Sequence, residues 1–491
     1  MRFFSAIAAL ALYGFGLGVC AQTLPAAVDA ALARARIPRE AVSVLLVEAD
    51  QDSKAPPRIS HRATVAMNPA SVMKLVTTYA ALDLLGPAFT WSTPVYVDGP
   101  TRDGTLAGNV YIQGQGDPKL VLERLWLLLR RLQGIGIKAV NGDIVLDRSA
   151  FDVPAADPSS FDGEPLRPYN AAPDALLINY KAVVMTFTPD RGANVAQVQF
   201  DPPLFGVQTQ TTVPLVAGDC GDYRGALKAD FSDPRRIRFA GSYAVSCGEK
   251  VWPVAYADPE TYATRAVQGM WLDLGGKLTG TARFGAVPTA LLRGKPAFEA
   301  TSLTLAEVIR DINKFSNNVM AQQLFLTLGR AVAPGESGAD ATDADVNTGG
   351  LSAGSFNASR AVVQRWWKDR ISTEDVLVLD NGSGLSRSER ITARGLVLLL
   401  QRAYRSPAMS ELMASLPISG VDGTLKRYKS NAGGSAHLKT GTLSGALARA
   451  GYIDGMSGKR YVLAAIINHP NASSEAARAF METLVDWAVK D

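Results

Sequence analysis

Apolar positions along the chain follow two rhythms, one near each end and another through the middle. Near the start, the alanine-rich stretch 24–37 has helical spacing, and 41–48 reads as a Val/Leu-rich strand. A second short strand is expected at 63–67. Next comes Asn68-Pro69-Ala70-Ser71-Val72-Met73-Lys74, with Val72, Leu75, Val76, Tyr79 and Leu82 at helical intervals until Gly86-Pro87. This predicts an amphipathic helix with Asn68 as N-cap and Pro69 in its first turn. Far downstream, Thr304-Leu305-Ala306-Glu307 is a capping box opening a helix through Leu305, Val308, Ile309 and Ile312. The triplet Ser316-Asn317-Asn318 separates it from a second helix at 319–328. The stretches 448–453 and 460–468 read as a hairpin turning through Gly455–Gly458, and 474–489 as a closing helix. The ends of the chain therefore predict one α+β domain, its antiparallel sheet built from both termini and flanked by helices.

Between 90 and 297 the rhythm changes to short β-like runs, among them 109–112, 142–146, 183–188 and 196–200, divided by Pro, Gly and Asp. Because the serine helix precedes this block and sheet-completing strands follow it, the block reads as a large β-rich insertion. The expected organisation is residues 22–90 with 298–491 as the main domain. Residues 91–148 with 254–297 form an inserted domain, and 149–253, richest in proline, a domain nested within it. The apolar run 120–132 is broken by Glu123, Arg124, Arg130 and Arg131, which makes it a core-facing helix and not a membrane span. A Gly/Ala/Asp-rich surface loop is expected at 331–354.

Composition narrows the class. With 491 residues, 47% hydrophobic and 20% charged, the chain suits several globular domains. A net charge of +4 is too small to suggest a nucleic-acid binder and allows at most peripheral association with a membrane. Met1-Arg2, an apolar run to Gly18 and Val19-Cys20-Ala21 have the layout of a signal peptide covering 1–21, which predicts export to the periplasm. Cys20 raises lipidation, which Val19 before it disfavours. The remaining cysteines, Cys220 and Cys247, are an even pair and predict one disulfide in an exported chain. His61, His437 and His469 are scattered, so no metal-ligand cluster is visible and no metal or other cofactor is expected.

Three motifs carry candidate chemistry. Ser71 and Lys74 are i and i+3 neighbours on a helix, where the amine can take the hydroxyl proton, and a helix start favours an oxyanion. Ser316 can pass a proton to a leaving group and Asn318 can hold an amide. Lys439-Thr440-Gly441-Thr442 on a strand can receive a carboxylate, and glycine permits close approach. Each alone is weak evidence: a solvated helix start, a turn between helices and an ordinary strand end explain them equally well.

Their order, Ser-x-x-Lys, Ser-x-Asn, Lys-Thr-Gly, resembles that of penicillin-binding proteins and serine β-lactamases. The runs from Asp380-Asn381-Gly382-Ser383-Gly384-Leu385-Ser386-Arg387 and Leu416-Pro417-Ile418-Ser419-Gly420-Val421-Asp422-Gly423-Thr424-Leu425 are similar to the low-molecular-mass class C penicillin-binding proteins, typified by penicillin-binding protein 4. The resemblance covers nearly the whole chain after the leader; Asn381 departs from the family run. It implies a serine β-lactamase/transpeptidase-like domain and a D-alanyl-D-alanine carboxypeptidase and D,D-endopeptidase acting on peptidoglycan stem peptides, with β-lactams as covalent inhibitors. It also implies Ser71 as nucleophile, Lys74 as base, Ser316 as proton relay, Asn318 as amide holder, and Lys439, Thr440 and Thr442 as carboxylate receivers. By the same resemblance Arg387, with an insertion acid matched to Glu164 and an aromatic matched to Tyr169, would recognise the end of the stem peptide's diamino-acid side chain. The Glu-x-x-Leu-Asn element of class A β-lactamases is not found, which implies slow release of a bound drug.

Two competing readings stand beside this one. Gly350-Leu351-Ser352-Ala353-Gly354, with Asp380 and His437 following, fits an α/β-hydrolase esterase, though no apolar strand precedes it. A non-catalytic wall-binding scaffold would keep the fold without the chemistry.

Overall fold

A computed structural model describes residues 24–50, 55–332, 352–428 and 432–490. The leader-like segment and Cys20 lie outside these residues, as does most of the 331–354 loop.

The two ends of the chain meet in one five-stranded antiparallel sheet, ordered Ile59–His61, Val42–Glu48, Arg460–Asn468, Ala446–Asp454, Ala436–Leu443. The period of 2 assigns its two faces. Val42, Val44, Leu46, Leu463, Ala465, Ile467, Leu447 and Leu438 pack under Ala26–Arg34 and Glu475–Val489. Val462, Ala464, Ile466, Ala448, Ala450 and Tyr452 face the opposite way, toward the helices Lys74–Leu85, Leu305–Lys314, Asn318–Ala331, Phe356–Arg370 and Ala393–Arg405. Both faces are covered, so the inner strands are apolar almost throughout.

Two local expectations change. No strand forms at 63–67; Met67 makes a lone bridge to Ile391, and the edge strand is Ile59–His61. The expected amphipathic helix is buried on every side from Lys74 to Leu82, because helices cover the side turned away from the sheet. The capping box is present as read, with Thr304 accepting from the Glu307 amide and the Glu307 carboxylate accepting from that of Thr304.

Between Thr90 and Thr304 the chain forms smaller sheets. One orders Ala282–Phe284, Ile144–Asp147, Val110–Gln113, Thr90–Val97 and Phe298–Thr304; another is centred on Val195–Asp201, which pairs with Ala182–Asp190. A single apolar cluster runs through both, from Val95 through Leu128, Phe187 and Trp271 to Phe298. Cys220 and Cys247 are bonded within it. No helix among the described residues is long and apolar enough to cross a membrane.

Candidate active site

The nucleophile candidate sits in strained backbone. The expected helix start at Asn68 is instead a 3₁₀ turn, Ala70–Met73, and the α-helix begins at Lys74. Asn68 still serves the turn, accepting from the Ala70 amide at 2.8 Å through its side-chain oxygen. Ala70 has φ 48°, a conformation that L-residues rarely adopt. Two passing glycines explain how the turn is held. A Cβ on Gly384 would lie 2.0 Å from the Ala70 carbonyl oxygen, and one on Gly441 2.5 Å from that of Pro69 and 2.9 Å from the Ser71 nitrogen. Gly441 is thus glycine so that its strand can press against the serine turn. The sequence alone suggests a different reason, room for substrate.

Five of the candidate residues converge. Lys74 Nζ lies 2.9 Å from Ser71 Oγ, donates to Asn318 Oδ1 at 2.6 Å and to the Ser383 carbonyl at 2.5 Å. Lys439 Nζ donates to Ser316 Oγ at 2.8 Å and to the Thr440 carbonyl at 2.7 Å. Ser316 also has positive φ, 56°, at the junction of the two helices. Asn317 caps the second helix by accepting from the Met320 amide, which leaves Asn318 free to reach Lys74. Ser71, Ser316, Thr424, Thr440 and Thr442 line an open cleft of about 440 Å³.

Burial sets the electrostatics. The Lys74 amine is pushed down to about 7 because it is wholly desolvated, an effect that the charge of Glu389 partly opposes. Glu389 is itself fully buried. Burial raises its carboxyl to about 7, against the pull of the Asp380, Asn381 and Gly382 amides on Oε1 at 3.0–3.2 Å. Its Oε2 has no hydrogen-bond partner among the described residues. Burial, and then the charge of Lys74, holds the Lys439 amine well below the ordinary lysine range. Lys74 is therefore suited to act as a neutral base near pH 7.

Glu389 is a component that sequence reasoning misses. Two residues past Arg387, between Ser388 and Arg390, it looks like a solvated charge; in the fold it ties together the loop whose Ser383 carbonyl holds Lys74.

The insertion residues matched by resemblance pair mainly within their own loop. Arg387 stacks on Phe161 at 4.6 Å and donates to the Ser444 carbonyl at 3.0 Å, whereas Glu164 turns to Arg167 at 3.4 Å, three residues on. Tyr169 donates through its hydroxyl to Asp162 at 2.9 Å, and its carbonyl accepts from Asn318 Nδ2 at 3.3 Å. The 161–170 loop thus reaches both Arg387 and the serine site, and Asp162 is the acid bound to Tyr169.

The esterase arrangement is not assembled. Gly350 and Leu351 lie outside the described residues, Ser352 is exposed, and no hydrogen bond among the described residues joins Ser352, Asp380 and His437. Gly354 instead bridges to Phe151 of the insertion.

The chain is similar to known proteins along nearly all of its described length. Residues 24–490 match the model of the D-Ala-D-Ala carboxypeptidase 3 (S13) family. A D-alanyl-D-alanine carboxypeptidase of Actinomadura sp. (strain R39) is 27% identical over 405 residues, covering 80% of this chain and 71% of that protein. The D-alanyl-D-alanine carboxypeptidase DacB of Haemophilus influenzae is 26% identical over 407 residues, covering 81% and 80%. The crystal structure of penicillin binding protein 4 (dacB) from Haemophilus influenzae superposes with a TM-score of 0.68 at 22% identity over 94% of this chain and 97% of that one; it has also been solved with a β-lactam bound.

Proposed function

The chain belongs to the D-Ala-D-Ala carboxypeptidase 3 (S13) family, and from that premise we propose that it is a serine D-alanyl-D-alanine carboxypeptidase with D,D-endopeptidase activity, working through Ser71. The observation that carries this reading is the pair of lysine contacts, Lys74 to Ser71 and Lys439 to Ser316, around one cleft.

In this mechanism Ser71 Oγ attacks the carbonyl between two D-alanines while the neutral Lys74 amine takes its proton. The tetrahedral oxyanion is met by the backbone N–H groups of Ser71 and Thr442; loss of one such donor typically costs roughly 100- to 1000-fold in rate. Collapse breaks the C–N bond, and the departing amine receives a proton through Ser316, whose hydroxyl is held by Lys439. Asn318 orients the amide on the acyl side. Thr440 and Thr442 receive the terminal carboxylate together with Lys439, whose ammonium form an incoming anion favours. Water then hydrolyses the acyl-enzyme and frees Ser71.

The same pocket serves cross-links if the departing amine belongs to a second stem peptide. The 161–170 loop, which meets Arg387 through Phe161 and carries Asp162, Glu164 and Tyr169, supports recognition of the diamino-acid side-chain end. β-Lactams mimic the D-alanyl-D-alanine terminus, so penicillin acylates Ser71 and leaves slowly. The leader-like first 21 residues and the Cys220–Cys247 bond support a periplasmic site of action.

Release of D-alanine from a pentapeptide by the purified protein tests the proposal. The wild type should release it and Ser71→Ala should not; equal release by both would refute it. A Ser352→Ala variant that alone lost activity would favour the esterase.

A further inference from the structure

The carboxylate end of the cleft contains a cation that the family motifs do not include. Arg449 lies on Ala446–Asp454 directly opposite Thr440, so the two side chains share a sheet face, the one under the C-terminal helix. Arg449 is only 6% exposed, its guanidinium sits 4.8 Å over the Tyr428 ring, and its Nη1 has no hydrogen-bond partner among the described residues. It nevertheless lines the same cleft as Ser71, Ser316, Thr440 and Thr442, with Arg478 exposed at the rim. An arginine buried with an unmatched donor is costly unless an anion completes it.

We infer that Arg449, with Arg478 at the rim, forms the fixed positive charge that binds the carboxylate of the leaving residue, whether a terminal D-alanine or the carboxylate adjoining the cross-link amine. The inference rests on the peptidase reading and deepens it. The threonines beside Arg449 are neutral. Both site lysines are held low by burial, and Lys439, which joins the threonines at the carboxylate only once an anion favours its charged form, also holds Ser316 and the Thr440 carbonyl, so neither lysine is a fixed charge. A guanidinium stays charged throughout the working pH range even where burial lowers its pKa, as it does here against the opposing effects of Tyr428 and the Glu482 carboxylate, which leave Nη1 itself without a hydrogen-bond partner among the described residues. The position of Arg449 opposite Thr440 lets Nη1 and the threonine hydroxyl converge on one anion, and Tyr428 keeps the guanidinium plane fixed.

The test uses the full chain and two N-acyl-D-alanyl thioesters, one with a thioglycolate leaving group and the other its methyl ester, which lacks the carboxylate. In the wild type kcat/KM favours the anionic substrate. In Arg449→Leu that preference falls roughly 10- to 100-fold, the range expected when a hydrogen-bonded charge loses its partner. Arg449→Lys restores part of it, and Arg478→Ala, a surface change, reduces it only a few-fold. Equal loss on both thioesters in Arg449→Leu would mean a packing role and overturn the assignment, as would an unchanged preference. A folded wild-type chain that turned over neither thioester and was not labelled by penicillin would overturn the peptidase reading, and this inference with it.

Discussion

At the scale of single residues, the account depends on an amine that is neutral near pH 7. Burial lowers Lys74 from 10.5 to about 7, so the base form grows as pH rises through about 7, and acylation should show an acid limb there. The same shift has a stability consequence. Between about pH 7 and 10.5 the unfolded chain holds a proton on Lys74 that the folded chain has given up, so this group's contribution to stability rises with pH across that window. Glu389 raises the Lys74 value by its charge, so Glu389→Gln should move the acid limb to lower pH. Its amide oxygen can still accept from the 380–382 amides, which preserves the loop. Rates of penicillin acylation against pH check this; an unmoved limb would remove Glu389 from the base's environment. Ser71, Lys74, Ser316, Asn318 and Lys439 are legible in the sequence because their chemistry is tied to short fixed spacings. Glu389 and Arg449 are not: Glu389 bears on Lys74, more than 300 positions away, and Arg449 is buried in the cleft only by the pairing of its strand, so that in the sequence each looks like an ordinary surface charge.

At the scale of elements, the site depends on how closely a strand passes a turn. Ala436–Leu443 runs against the 3₁₀ turn at Gly441, where even a methyl group would collide with the Pro69 carbonyl and the Ser71 amide. Gly441→Ala should therefore part strand from turn and slow penicillin acylation about 100-fold, the cost of a displacement near one ångström at a reacting centre. Labelling kinetics measure it directly, and wild-type rates would contradict the account. The sequence marks the helix ends well: Thr304 with Glu307 and Asn317 cap as their residue types suggest. It misreads Asn68-Pro69, which looks like a helix start but leads into a strained turn. Ala70 adopts its positive φ where Gly384, more than 300 positions away, passes too close to leave room for a Cβ, and no local pattern encodes that.

At the scale of the whole molecule, the sheet built from both ends is legible because its strands are long and apolar. The partition of the insertion is less so. One apolar cluster joins the segments 91–148, 149–253 and 254–297, and we propose that they unfold as one unit although the sequence suggests a nested division. The Cys220–Cys247 bond closes a loop of 27 residues, worth about 3 to 4 kcal/mol by chain entropy. Replacing both cysteines with serine should lower the melting of this unit by several degrees while leaving Ser71 acylation at 25 °C within about 2-fold, since the bond lies in the core of the insertion, separate from the cluster around the serine helix. Calorimetry with labelling on the same sample tests both, and loss of labelling together with the first transition would show that site and insertion are inseparable.

The central claim is that Ser71 is the nucleophile of a penicillin-sensitive peptidase. Intact-mass and peptide mass spectrometry after brief exposure to penicillin tests it most directly. A single adduct confined to the peptide containing Ser71, persisting well after free drug is removed, is the predicted result. An adduct on any other residue, or rapid turnover of the drug with no adduct retained, would contradict it.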